Sequence, residues 1–505
     1  MSIGMCRSLS RADLHELNVQ IPNPEATKPR GMTDVACEAQ GQGAHTHDRR
    51  GSALLTRFTR SATGNDPTAL DVYEAAIAVT DTIDPEMGHI NFRCQQTSNL
   101  FEVFPTVMNG KNSQLLDRAI SALAAVFVGN KIDDEQLVRH GVGLYNNAIQ
   151  VFARLIPRSG LPVQEVLCAN VVFQLYELIN CTSGFSGWTA HMEGANAVLA
   201  RHQQSLERDK LSSMLLRQLK LSNIFHAIGK SKSALAFCPM WRYLSPRDSD
   251  DPIDEIIDIL MACTSLLARE DDLQSTYDIE QLIQQCWDLH MQTMAWNDKL
   301  KLIHGKSLYT RVPDETKVTR TSSSRNVLPD RYEFIALEVA ESHMLCWTAM
   351  LIMYSLFHRL EIHKKLLSPG YTSDKEAETF LKGAQHYATQ ICLGVGYFLQ
   401  PHMHILGGHN LLFPVSMASQ FFLINELHGQ YQWCQEVFIA LEADGLGLAS
   451  VLLGTPWSRY KESSPPVIKI EAEAEAEVEA EVEAEVEAEV EAEVEAEAED
   501  LGYDA

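Results

Sequence analysis

The sequence predicts an all-α protein: a large multi-helix domain with a disordered N-terminal arm and an acidic C-terminal tail. Three observations predict it. Apolar residues from about 66 to 462 recur at helical spacing almost throughout. The strand signature, β-branched alternation between turn residues, is nearly absent. Pro and Gly gather between the periodic stretches, at Pro157–Gly160, Gly184–Gly187, Pro246–Pro252, Pro369-Gly370 and Gly407-Gly408. With 45% hydrophobic residues, the chain can bury an extensive core.

Residues 1–65 are rich in Gly, Ser, Thr, Pro and charge, and read as a disordered arm. Arg49, Arg50, Arg57 and Arg60 make a thin basic patch there. It reads as a solvated surface, with a weak nuclear-import signal as the other reading. The 66–462 domain follows. Its spacing predicts helices over 69–81, 113–128, 134–156, 161–181, 187–203, 210–229, 253–268, 277–301, 330–366, 374–399, 410–427 and 431–452.

Two of these helices are apolar on more than one face. In 161–181 only Asn170, Gln174 and Glu177 interrupt the apolar surface of the central turns. The stretch 335–360 has the same character through Leu345, Trp347, Met350, Leu351, Met353, Tyr354 and Phe357. Helices of this kind must be surrounded by other helices, so one large core fits better than several small bundles. No fixed solenoid period is present.

Residues 302–329 break the pattern with Lys306, Arg311, Lys317, Arg320 and Arg325 and a Thr321–Ser324 run. They read as a long exposed loop, of a length at which binding or phosphorylation becomes an alternative to idle solvation. The tail, 463–505, alternates Glu with Ala or Val from Glu471 onward. As a helix it would set Glu at i and i+4, which repels, so an extended acidic ensemble is expected. It carries no aromatic and no Leu before Leu501, which leaves it poorly equipped as an activation segment.

Net charge is −26, but residues 471–505 hold fifteen Glu with Asp500 and Asp504 and no Lys or Arg; setting those 17 acids aside leaves −9. A mildly acidic body has no general attraction for phosphate backbones. The eleven cysteines are scattered, none spaced as C-x-x-C, and several sit in apolar helical patterns as small hydrophobes. An odd count without a secretory-type leader suggests a reducing compartment. The longest apolar run, Met344–Phe357, falls short of the roughly 20 residues that span a bilayer. The expectation is a soluble intracellular protein with no membrane contact.

The most informative stretch is Val163–His202. An almost wholly apolar helix ends in L-Y-E-L, Leu175–Leu178, and a Gly-punctuated turn leads into a second helix. Trp188, His191 or Met192, Ala195 and Leu199 then share one face, Ser186 is placed to N-cap, and Gly194 and Ala195 allow close helix approach. His191 reads as a hydrogen-bonded core histidine rather than a ligand.

Tyr176, Glu177, Leu178, Trp188, His191, Gly194 and Ala195 resemble the E-L-…-W-x-x-H-x-x-G-A pattern of the fungal-specific transcription factor domain, the regulatory domain of fungal binuclear zinc-cluster transcription factors. Leu115–Asn130 and Gly143–Ile156 look like its preceding helices. The motifs cover about 115–200, and the resemblance spans 90–460. It implies nuclear gene regulation, of a metabolic or secondary-metabolite gene set. The family's leading six-cysteine module is missing: residues 1–90 offer only Cys6 and Cys37. Direct DNA reading by that route is not expected, and action through other transcription regulators or co-regulators, or through homo- or heterodimerisation, is.

Catalytic and metal motifs are weak. His402, His404 and His409 lie close together without a nearby acidic or Cys ligand, and read as a polar interhelical turn. Tyr371 and Lys375 have a dehydrogenase spacing, and Gly445-Leu-Gly-Leu a fragment of a phosphate loop, but neither sits in a strand–turn–helix unit. Asp133-Asp134 and Asp271-Asp272 read as caps or solvated corners, and the latter lacks the third acid of a D-D-x-x-D site. No catalytic residue, cofactor or metal is expected. The alternatives to a regulator are an all-helical enzyme and a non-transcriptional helical scaffold.

Overall fold

Fourteen of the seventeen residues of the helix Val163–Ile179 are buried, which requires neighbours on every side. The computed structural model supplies them. It describes residues 113–156, 163–182, 184–202, 206, 209–244, 251–270, 272–314, 327–367 and 374–453. The predicted arm, the helix at 69–81 and the acidic tail lie outside the described residues, as do Tyr371 and Asp271.

Helices α1 (Gln114–Lys131), α2 (Glu135–Leu155), α3 (Val163–Ile179), α4 (Phe185–His202) and α5 (Lys210–Gly229) form the first half. Two short turns, α6 (Ala234–Phe237) and α7 (Trp241–Leu244), lead to α8 (Pro252–Glu270) and α9 (Thr276–His304). Strands β1 (Tyr309–Pro313) and β2 (Asp330–Phe334) precede α10 (Leu337–Leu367) and α11 (Asp374–Phe398). A 3-10 turn, Pro401–Met403, then α12 (His404–Ile424), α13 (His428–Ala443) and α14 (Leu448–Leu452) complete the order.

The starts of several helices are written in their caps. Ser113 accepts from Leu116 N, Asp134 from Gln136 N and Leu137 N, Asp209 from Ser212 N, and Ser275 from Asp278 N. Each satisfies amides that the first turn leaves without a helical partner. The expectation that Asp134 is a cap is met in this way.

One contiguous apolar cluster runs from Leu115 to Leu452. In it α3 packs against α1, α4, α5 and α14, while α10 packs against α8, α9, α11 and α12. Arg359 grips Glu270 across α10 and α8, its Nε and Nη2 donating to the two carboxylate oxygens at 2.6 and 2.9 Å. Arg217 on α5 likewise holds Asp254 and Asp251 at 2.8 and 2.7 Å.

The structure differs from the sequence reading in four places. Residues 309–313 and 330–334 pair as an antiparallel hairpin, Tyr309 opposite Phe334, rather than as loop and helix. Tyr332 and Phe334 are buried against Trp347 of α10. Helix α4 begins at Phe185, so Ser186 lies inside its first turn and is not the N-cap.

Gly407-Gly408 are not a break between helices. They lie inside α12, where a Cβ at 407 would collide with the Phe398 carbonyl and one at 408 with Leu446 and Leu441. The bare backbone is what lets α12 approach α11. Finally, the stretch predicted as one helix over 431–452 divides at Gly445, whose φ of +102° is a left-handed value. Leu446 N bonds back to Leu441 O there, closing α13.

Candidate functional site

The seven motif residues fall in two adjoining places. The first is a buried polar knot between α2, α3 and α4. Glu177 comes from the last turns of α3 and His191 from the second turn of α4. Tyr145 of α2, which the sequence reading did not single out, stands between them. Its hydroxyl lies 2.5 Å from Glu177 Oε1 and 2.6 Å from His191 Nε2. A phenol has one proton, so it donates to the carboxylate and accepts from the imidazole N–H.

The Tyr145 ring stacks flat on Tyr176, centroids 3.9 Å apart and planes within 6°. Burial pushes the His191 pKa down to about 4, so the ring is neutral at neutral pH. The phenol of Tyr145 is held far above its ordinary value, by burial and then by the Glu177 charge. His191 thus sits among hydrogen-bonded core groups.

The Glu177 carboxylate also lies against the first turn of α4. It fills the space a Cβ at Gly187 would need. A negative charge at a helix start is favourable, because the macrodipole is positive there. Gly194, by contrast, is not sterically demanded: an added Cβ would meet only Asn170 Nδ2, at 3.5 Å. On α4 the apolar residues that enter the core are Trp188, Met192, Ala195, Val198 and Leu199. Further along α3, Gln174 donates to Asn170 and accepts from Ser222 of α5, so the polar residues noted in that helix bond within the core.

The second place is a cavity of about 120 Å³. Leu178 and Trp188, one motif residue from each helix, form part of its wall. α5 contributes Gln218 and Phe225, α10 contributes Glu341, and α12 contributes His409, Asn410 and Pro414. Asn410 Nδ2 donates to Glu341 Oε1 at 2.7 Å, and the Asn410 side chain also hydrogen-bonds His409. Glu341 is set deep among the helices, and the surface it retains faces the cavity.

Burial pushes the Glu341 pKa up to about 7, against the lowering effect of Asn410 and of the Arg217 charge. Burial also pushes His409 down to about 4. Pro414 has no amide hydrogen, so α12 lacks the helical bond that the Asn410 carbonyl would otherwise accept.

Sequence reasoning missed Tyr145 and Glu341. Tyr145 lies midway along an otherwise ordinary amphipathic helix, and Glu341 is one of three acids in a long, largely apolar one. The usable signal for Glu341 was its place just before the apolar run Met344–Phe357, since an acid carried into a core has to be met by something from another element. The remaining candidates do not assemble. His409 stands in helix α12 rather than in a turn. Among the described residues no group of three His, Cys, Asp or Glu side chains is placed to hold a metal ion. The described cysteines are free thiols, and seven of the eight are buried.

Compared with protein-family models, with curated proteins and with solved structures, the chain finds no match in any of the three.

Proposed function

We propose that the chain is a transcriptional regulator related to the fungal zinc-cluster factors, acting in the nucleus on a metabolic or secondary-metabolite gene set through protein partners. The observation that carries this reading is the convergence of the motif. Four of the motif residues spread over Tyr176–Ala195 meet in pairs at two adjoining places. Glu177 and His191 share Tyr145, and Leu178 and Trp188 share a cavity wall.

The partners expected are other transcription regulators or co-regulators and a second copy of this or a related chain. No described helix is long and apolar enough to cross a membrane. Transcript profiling of a deletion strain, with a tagged chain located by microscopy, tests the reading. A coherent transcript set that changes on deletion, with the tagged chain in nuclei, is the expected result. Unchanged transcripts with accumulation of a metabolite precursor would replace it with the enzyme reading. That second reading draws on one observation, a cavity carboxylate whose pKa of about 7 suits proton transfer.

A further inference from the structure

We propose that the cavity binds a small apolar amine, its ammonium paired with the free carboxylate oxygen of Glu341 and its hydrocarbon body against Trp188 and Phe225. As an effector site the cavity rests on the regulatory reading above; as a binding site it does not.

The polar groups choose the ligand. Asn410 occupies Glu341 Oε1, and no described residue donates to Oε2. Gln218 also lines the cavity, and its side-chain amide has no hydrogen-bond partner among the described residues. A carboxylate oxygen from α10 and an amide carbonyl from α5, both lining the cavity, are two acceptors for one N–H-rich head.

No Lys or Arg lines the cavity. The nearest guanidinium, Arg217, is engaged by Asp251 and Asp254. An anionic ligand would therefore meet Glu341 with no compensating cation, and in a poorly screened interior that repulsion is large. An ammonium instead restores charge balance and makes a charge-assisted hydrogen bond, which is about twice as strong as a neutral one.

The rest of the wall suits the apolar part. Trp188 and Phe225 stand 5.7 Å apart, ring edge to ring face. Aromatic faces attract a nearby cation. Leu178, Leu221 and Leu412 supply aliphatic surface. An enclosed apolar cavity of about 150 Å³ takes up benzene; this one, of about 120 Å³, is partly open, so a single-ring compound fits with one end toward its mouth.

Three single-ring probes separate the outcomes: benzylamine, benzyl alcohol and phenylacetate, titrated calorimetrically into the full-length chain about one pH unit above neutrality, where Glu341 is ionised and the amine is still protonated. The expected result is benzylamine binding with a Kd below roughly 1 mM, well inside the per-atom limit for so small a ligand. Phenylacetate should not bind measurably, and benzyl alcohol should bind about ten-fold or more weakly than the amine. Glu341→Gln, which keeps the size and the Asn410 contact, should weaken benzylamine by a similar factor. Leu221→Trp, which fills the cavity and leaves Glu341 in place, should abolish binding and serves if the first variant does not fold.

Absence of benzylamine binding, equal binding of the alcohol, or full affinity in either folded variant overturns the proposal. A transcript set that changes on deletion but ignores added amine would leave the regulator and remove the effector role. Amine binding without any transcript effect would do the reverse.

Discussion

Gly187 has no side chain because the Glu177 carboxylate occupies the place where one would go. Two adjacent helices are fixed to each other by that substitution of an acid for a methyl. Gly187→Ala should force Glu177 or the first turn of α4 to shift, and is expected to cost about 1–3 kcal/mol, the usual penalty of overpacking. Gly194→Ala, two turns on in the same helix, meets open contact and should be neutral or stabilise by about 0.5–1 kcal/mol, since Gly is the poorer helix former. Urea melts of the two variants check the contrast. Equal effects would mean that α4 is not pinned where the structure places it.

Tyr145→Phe removes one oxygen and orphans two groups. Glu177 loses its phenolic donor and His191 its acceptor, both inside the core. The expected loss is about 1–3 kcal/mol, the cost of leaving a buried polar group unsatisfied. A shift of the His191 ring resonances in the nuclear magnetic resonance spectrum should accompany it. Unchanged stability would show that the stacking on Tyr176, rather than the hydroxyl, is what holds α2 in place.

Acid should destabilise the protein earlier than carboxylate protonation alone would. Burial holds His191, His226, His343 and His409 down to about 4, against 6.5 for the free side chain. Between those values the unfolded chain binds protons that the folded chain does not. Stability from these groups is therefore present above about 6.5 and is lost as pH falls toward 4. The slope reaches about 1.4 kcal/mol per pH unit for each unmatched proton.

Glu341, raised to about 7, has the opposite sign: the folded chain takes up its proton first, which adds stability as pH falls from 7 toward 4.5. Four groups outweigh one, so the urea midpoint should fall through this window. Glu341→Gln should steepen the fall. A midpoint flat from pH 7 to pH 5 would contradict the burial of these histidines.

The Arg359–Glu270 pair offers a test of the long-range packing. Glu270 is only 6% exposed at its side chain, and Arg359 reaches it from 89 residues away in sequence. Arg359→Met keeps the length and removes both hydrogen bonds. It is expected to cost about 3 kcal/mol, because the remaining carboxylate cannot regain water. The double change Glu270→Leu with Arg359→Met should recover much of that loss. A thermal melt of the two variants beside the unaltered protein distinguishes a bad single change from a tolerable pair.

Most helices were legible because their apolar faces are strongly periodic. α5 is bounded as its spacing predicts, between the Asp209 cap and Gly229. The hairpin was not legible. β1, Tyr-Thr-Arg-Val-Pro, is short, largely exposed and charged, so it reads as loop. β2 does alternate, with Tyr332 and Phe334 inward, but its apolar residues also continue the period of α10 and were absorbed into that helix. The start of α12 was lost because Gly407-Gly408 reads as punctuation. Only the neighbouring Phe398 carbonyl shows that these glycines serve packing, and that contact exists in three dimensions alone.

The candidate site divided in the same way. Glu177, Trp188 and His191 stand close in sequence and could be grouped by eye. Tyr145, Gln218, Glu341 and Asn410 come from four other helices and could not.

Pro414 makes the floor of the cavity mechanically unlike its other walls. A helix missing one rung of its ladder bends at that rung more easily than elsewhere. The unbonded rung belongs to Asn410, the residue that holds both Glu341 and His409. Swinging the α12 segment that precedes Pro414 would therefore carry that amide, and the His409 imidazole with it, away from the acid on α10. The polar lining of the chamber and the curvature of one backbone are a single degree of freedom.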